Sequence, residues 1–274
     1  MIIDGGAIAQ ETLEQVKEVV SGFDTPLGMR AVVVEPTRTT ASYVRAKARA
    51  AEAAAITFEV VELPVDASTE EVVAAVRVPG VDSIIVQLPL PAHIDTETVL
   101  AAIPPEADAD ALTATARASG FPVAPVAAAV EEILVRSGVV VSGARAVVVG
   151  KGRLVGEPVA LRLAELGASV TSLDEQTFDA SALANADIIV SGAGVPHLIR
   201  PDMVKEGVVL IDAGTSEAPG NAPGEESRIV GDIDPACATR AAVYTPVPGG
   251  VGPVAVACLM RNAAQLRAGN IGVL

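Results

Sequence analysis

Val147-Val148-Val149-Gly150-Lys151-Gly152-Arg153-Leu154-Val155-Gly156 reads as an apolar strand that turns through glycines into a helix. Consecutive valines are β-branched and uncharged, which suits a strand covered on both faces of a parallel sheet. Gly150 permits a tight turn, Gly152 lets backbone amides approach a pyrophosphate, and Gly156 lets helix pack closely on strand. A glycine pattern alone also fits a plain structural turn. The helical pattern at 157–166 and the strand pattern at 169–173 supply the βαβ context that favours a dinucleotide site. Gly150, Lys151, Gly152, Arg153, Val155 and Gly156 are therefore the candidate cofactor residues, with Gly214 after a later strand.

Working outward, strands are expected at 188–191, 208–213 and 242–245, and a last helix from Pro253 to about residue 266. Upstream, helices at 7–20, 42–55 and 69–76 alternate with strands at 29–34, 57–63 and 81–88. Such alternation implies α/β architecture with a parallel sheet and right-handed crossovers. Pro104-Pro105 and the stretch 107–120 break the pattern and look like a crossing between domains, after which 126–136 is helical again.

The core must be built from small and aliphatic residues, because half the 274 residues are apolar but only 2% are aromatic. A net charge of −15, with no basic run, makes nucleic acid and anionic membrane poor partners. The uncharged stretch 241–260 is interrupted by Pro246, Pro248, Gly249, Gly250, Gly252 and Pro253, so it is not expected to span a bilayer. The N-terminus lacks a basic segment followed by an apolar one, so no signal peptide is expected. Cys237 and Cys258 have neither pairing nor metal spacing, which fits buried thiols in a reducing cytoplasm.

Asp174 ends the strand after the glycine turn, 24 residues beyond Gly150. An acid there accepts hydrogen bonds from ribose hydroxyls and repels a 2′-phosphate; Glu175 adds to the repulsion, so NAD is favoured over NADP. Lys151 and Arg153 are close enough in sequence to neutralise a phosphate, which keeps NADP open. Tyr43 and Lys47, four residues apart, share one helix face. The chain has four lysines, and a lysine, unlike an arginine, can lose its proton in a pocket. By spacing alone the pair also fits an ordinary solvated face. Gln87 stands at the end of an apolar strand, where a neutral amide can donate and accept without adding charge. The run Thr245-Pro246-Val247-Pro248-Gly249-Gly250-Val251-Gly252-Pro253 is too constrained for a casual linker. His93 and His197, the only histidines, show no metal-like spacing, so no metal is expected.

At this point the chain resembles the bifunctional methylenetetrahydrofolate dehydrogenase/cyclohydrolase family. Ile3-Asp4-Gly5-Gly6-Ala7 is similar to that family's start, and Tyr43-Val44-Arg45-Ala46-Lys47 to its YVxxK helix. The stretch from Gly80 through Val86-Gln87-Leu88-Pro89-Leu90-Pro91 to His93-Ile94 matches a long N-terminal motif, and Thr245 to Pro253 matches its PVPGGVGP signature.

The resemblance implies two domains: a folate-binding domain at 1–121, completed by 253–274, and a Rossmann-like NAD(P)-binding domain at 122–252, with the pocket in the cleft between them. It also implies a homodimer and a tetrahydrofolate substrate. Lys47 becomes the cyclohydrolase acid/base, Gln87 its tuner, Tyr43 a wall of the pterin pocket, and Asp110 the holder of the pterin's amino and amide edge. Pro248, Gly249 and Gly250 become substrate contacts. Some positions depart from the family pattern. Its KDVDG reads Ala107-Asp108-Ala109-Asp110-Ala111, and Asp174 replaces a usual histidine, which supports NAD. If the family's glycine uses positive φ, Ala111 is expected to shift Asp110. The rival reading is a divergent member that binds folate or dinucleotide but has lost one or both activities.

Overall fold

The computed structural model describes residues 1–36, 38–218 and 228–269, with backbone alone at Arg38 and Thr39. Residues 270–274, which the sequence reading joined to the folate-binding domain, lie outside the described residues. The first half of the chain runs α1 (Gly5–Val20), β1 (Gly28–Val34), α2 (Arg38–Ala53), β2 (Thr57–Leu63), α3 (Thr69–Val76), β3 (Ser83–Val86), α4 (Thr96–Ala101) and α5 (Ala114–Ser119). Then come α6 (Pro125–Arg136), β4 (Arg145–Val149), α7 (Gly156–Glu165), β5 (Ser169–Leu173), α8 (Ala180–Asn185) and β6 (Ile188–Ser191). The chain continues with β7 (Val208–Asp212), β8 (Ser216–Ala218), β9 (Arg228–Val230), β10 (Ala241–Tyr244) and α9 (Val251–Ala268).

The chain forms two compact units, one of Ala9–Pro125 with the stretch from Val256, the other of Met1–Ile8 with Val126–Ala255. Backbone bonds explain why the first residues join the second unit: Ile3 N–H donates to Tyr244 O and Gly5 N–H to Gly249 O, each at 2.9 Å.

In the Ala9–Pro125 unit three parallel strands lie in the order β2-β1-β3. Alternate residues of β1 serve opposite faces. Met29 and Ala31 pack with Val16 and Val20 of α1, Ala50 and Ala51 of α2, and Leu259, Met260, Ala263 and Ala264 of α9. Val32 and Val34 pack with Val72 and Val76 of α3 and with Val99 and Leu100 of α4. Alanine on so many contacts replaces the missing aromatics, since small side chains let helices lie close.

The other unit carries five parallel strands in the order β10-β7-β6-β4-β5. From β4 the chain goes to β5 on one side, then crosses to β6, β7 and β10 on the other. The order therefore reverses between β4 and β6, and open α/β sheets bind ligands at such a switch point, beyond the strand C-termini.

Several boundaries differ from the sequence reading. The stretch 107–120 is not irregular throughout: Thr113 Oγ1 accepts from Ala116 N–H and starts α5. Asp95 caps α4 through Glu97 and Thr98 N–H. Helices of six residues are too short for apolar periodicity to reveal them. The last helix starts at Val251, placing Pro253 in its first turn, where no amide is needed for a backbone bond. The short antiparallel pair β8–β9 was also not foreseen.

Gly156, the first residue of α7, has no room for a side chain, because a Cβ there would lie 1.9 Å from Gly150 O. Gly156→Ala should therefore push α7 off β4 and lower unfolding free energy by about 2 kcal/mol. A reduced urea midpoint at unchanged slope is the expected readout.

Candidate active site

Lys47, Gln87 and Asp110 come from three separate elements and meet at one place. Lys47 projects from the third turn of α2, Gln87 follows β3 directly, and Asp110 lies in the loop before α5. Lys47 Nζ donates to Gln87 Oε1 at 3.2 Å and lies 3.7 Å from Asp110 Oδ2. The Gln87 amide is oriented from behind: its Nε2 donates to Leu88 O at 3.0 Å, which turns the carbonyl oxygen toward Lys47. Gln87 N–H in turn continues the β-ladder to Val32 O. Lys47 and Asp110 are mostly shielded, with 15% and 17% of their side chains exposed, so their attraction is less screened than at an open surface. Burial raises the Asp110 carboxyl above the usual carboxylate range; Lys47 opposes that rise and Asp108 adds to it. Tyr43 sits one turn before Lys47 on α2 and is exposed.

The loop that presents Asp110 is held by residues that sequence reasoning passed over. Asp108 is fully buried and accepts from Leu112 N–H at 3.0 Å and Thr113 N–H at 2.8 Å, closing a turn around Asp110. Asn262 of α9, also buried, donates through Nδ2 to Ala109 O and Val123 O at 2.9 and 2.8 Å. A signal for Asn262 existed: it is a neutral polar residue inside an otherwise apolar helix face, where a buried amide needs partners. Ala111 adopts φ +54°, so it takes up the left-handed turn itself and leaves Asp110 within reach of Lys47. The turn therefore carries backbone strain that a glycine would not.

In the other unit the glycine turn lies at the switch point after β4. Gly150 has φ +99°, and a Cβ there would lie 2.7 Å from Gly192 O, in the loop after β6. A Cβ on Gly152 would meet no protein atom within 4 Å, so its backbone is open to approach. Val155 begins α7 without a side-chain cap, which leaves the helix N-terminus suited to an anion. Lys151 Nζ donates to Asp174 Oδ2 at 2.8 Å, and Asp174 also accepts from Gln176 N–H, Thr177 N–H and Thr177 Oγ1. Those contacts hold its carboxyl well below the usual range, led by the Lys151 bond. Arg153 is partly buried on the same turn. Pro248 and Gly249 are exposed in the loop after β10, whereas Gly250 is buried, its oxygen 1.9 Å from where a Cβ on Gly5 would stand. Val247–Pro248 and Leu88–Pro89 are cis.

Two buried aspartates on this sheet edge were not anticipated. Asp212 ends β7 and accepts from Gly214, Asp232 and Ile233 N–H at 3.0, 3.2 and 2.8 Å. Burial, against those bonds and with Asp232 nearby, pushes its carboxyl up to about 7. Gly214 packs against Asp232, since a Cβ on Gly214 would lie 2.1 Å from the Asp232 carboxyl carbon.

Because Ala111 holds a left-handed turn that glycine adopts freely, Ala111→Gly should raise stability by about 1 kcal/mol. Thermal melting of the two proteins side by side checks this; a lowered melting temperature would contradict the strain.

Comparison with known proteins accords with both halves. Residues 3–110 match the catalytic domain of the tetrahydrofolate dehydrogenase/cyclohydrolase family, and residues 124–270 match its NAD(P)-binding domain. The bifunctional protein FolD of Campylobacter curvus is 36% identical, over 100% of this chain and 99% of its own length. That of Methanoculleus marisnigri is 38% identical, over 97% of each. Among solved structures, the Trypanosoma brucei methylenetetrahydrofolate dehydrogenase-cyclohydrolase complexed with NADP and an inhibitor superposes with a TM-score of 0.92 at 35% identity, covering 98% of both chains. The chain therefore belongs to the tetrahydrofolate dehydrogenase/cyclohydrolase family.

Proposed function

We propose that the protein oxidises 5,10-methylenetetrahydrofolate to 5,10-methenyltetrahydrofolate with NAD(P), then hydrolyses the product to 10-formyltetrahydrofolate. The observation that carries this reading is the convergence of Lys47, Gln87 and Asp110. The uncapped start of α7, the open Gly152 and the switch-point position fit a dinucleotide. A dinucleotide held at the Gly150–Val155 turn and the start of α7 would supply the hydride acceptor for oxidation of the methylene bridge, and the oxidised substrate is the methenyl cation.

The protein's own residues then manage protons. Water adds to the methenyl carbon and loses one proton to give a neutral hydroxyl adduct. The bond to N5 breaks as that nitrogen takes up a proton, and the hydroxyl gives up its remaining proton as the carbonyl forms, leaving the formyl group on N10 and one proton released overall. Lys47 is suited to carry these protons because an ammonium can become a neutral amine, whereas a fixed guanidinium would repel the cation throughout. Gln87 accepts from Lys47 and so fixes where Nζ points. Asp110, a largely shielded carboxylate, offers two acceptor oxygens to the amino and amide N–H groups of the pterin. Tyr43 supplies an aromatic wall for that ring. The loop through Pro248, Gly249 and Gly250 offers backbone to a flat ligand. On the same reading the protein is a cytoplasmic homodimer.

NAD remains the favoured cofactor. Lys151 and Arg153 only balance the charges of Asp174 and Glu175, and an exposed pair is easily exchanged for solvent. A 2′-phosphate would have to compete with Asp174 for Lys151. The rival reading, loss of an activity through the altered 107–111 segment, is disfavoured by the turn that Ala111 keeps.

Purified protein given 5,10-methylenetetrahydrofolate should reduce NAD faster than NADP, and should hydrolyse 5,10-methenyltetrahydrofolate without any dinucleotide. Absence of both activities from folded protein would sink the reading. Lys47→Met should cut hydrolysis by about 100-fold or more while leaving the Km for dinucleotide unchanged. In Asp174→Ser, removing the charge should shift the kcat/Km ratio of NADP over NAD upward by about tenfold; an unchanged ratio would remove Asp174 from cofactor choice.

A further inference from the structure

After β6 ends at Ser191, the segment Gly192-Ala193-Gly194-Val195 runs beside the glycine turn. A Cβ on Gly192 would lie 2.3 Å from Val155 Cγ1, and the Gly192 oxygen limits Gly150 in the same way at 2.7 Å. The two loops therefore touch backbone to side chain, and the position of one sets the position of the other.

One side chain holds the second loop. Asp232 is fully buried, and its Oδ2 accepts from Ser191 Oγ at 2.8 Å, Ala193 N–H at 2.7 Å and Gly194 N–H at 3.2 Å. Its Oδ1 accepts from Val195 N–H at 2.9 Å. Three successive amides facing one carboxylate form an anion-binding concavity filled by the protein's own acid. Those amides are thus committed, which leaves the glycine turn and the start of α7 as the place for a pyrophosphate. Asp232 is itself fixed, because its N–H donates to Asp212 and the α-carbon of Gly214 lies against its carboxyl group. A carboxylate buried without a cation is costly, and four hydrogen bonds offset that cost only while the loop keeps this shape.

We propose that Asp232 is a positioning residue for the dinucleotide: by clamping residues 191–195 it sets the wall on which the Gly150–Val155 turn rests, and so the affinity for cofactor. Asp232 acts through the loop and is assigned no contact with substrate. The proposal rests on the dehydrogenase reading above, and the cofactor-independent hydrolysis provides an internal control.

The test compares the full-length protein with Asp232→Asn and Asp232→Ala. With a buried donor left unpaired, the Km for dinucleotide should rise by about tenfold in Asp232→Ala and less in Asp232→Asn, whose carbonyl keeps part of the clamp. Hydrolysis of 5,10-methenyltetrahydrofolate should keep its kcat and Km in both. Gly214→Ala, which drives a methyl group into the same carboxyl, should reproduce the rise in Km. If both activities fall together at unchanged Km, Asp232 merely supports folding and the proposal is overturned. Should the wild-type protein lack turnover, calorimetric titration with NAD still decides: weaker binding by Asp232→Asn supports the clamp, and equal binding or none by the wild type overturns it.

Discussion

Five parallel strands deliver their C-terminal ends to one edge, so the turns after β4, β6, β7 and β10 have to share a crowded rim without a ladder to satisfy their amides. The rest of this unit depends on how that crowding is resolved. Glycine resolves part of it, because Gly156 can lie against Gly150 and Gly192 against Val155 only without side chains between them. Buried acid resolves part of the remainder: Asp232 collects amides from the turn after β6, Asp212 collects amides from the turn after β7 and from residues 232–233 after β9, and Thr245 Oγ1, in the loop after β10, accepts from Asp212 N–H. The result is a rim stiff enough to present backbone to a phosphate.

The other unit uses its acids differently. Asp108 is satisfied by local amides, as Asp232 is, and its role ends with the turn it closes. Asp110, two residues on, is left beside a lysine instead of a ring of amides, and burial keeps its carboxyl above the usual range. The contrast separates structural from chemical carboxylates better than burial alone does. An acid whose lone pairs are all taken by backbone is a brace, while one that faces a titratable side chain in a partly open site is available to a ligand.

Much of this was legible in the chain. The apolar strand before Gly150, the spacing of Tyr43 and Lys47, and Gln87 at a strand end all follow from local rules of periodicity and turn geometry. Three features were not legible. Short helices such as α4 and α5 rest on single caps, and six residues show no periodicity. Asn262 carries its partners from residues 153 and 139 positions away, a separation no local pattern encodes. Ala111 looked incompatible with the turn it occupies, because a residue type states a preference and packing decides whether the preference is overruled.

The sequence by itself determined the two parallel α/β sheets and the glycine turn, since each depends on neighbours within a few residues or on strand-length runs of apolar side chains. Lys47 and Gln87 stood out only through the family resemblance, because spacing alone also fits a solvated helix face and a plain strand end. Only the tertiary structure decided which acids are braces and which are free to act. That distinction depends on whose amides reach each carboxylate. Asp232 finds its partners 37 to 41 residues upstream, where only the folded sheet edge can bring them together.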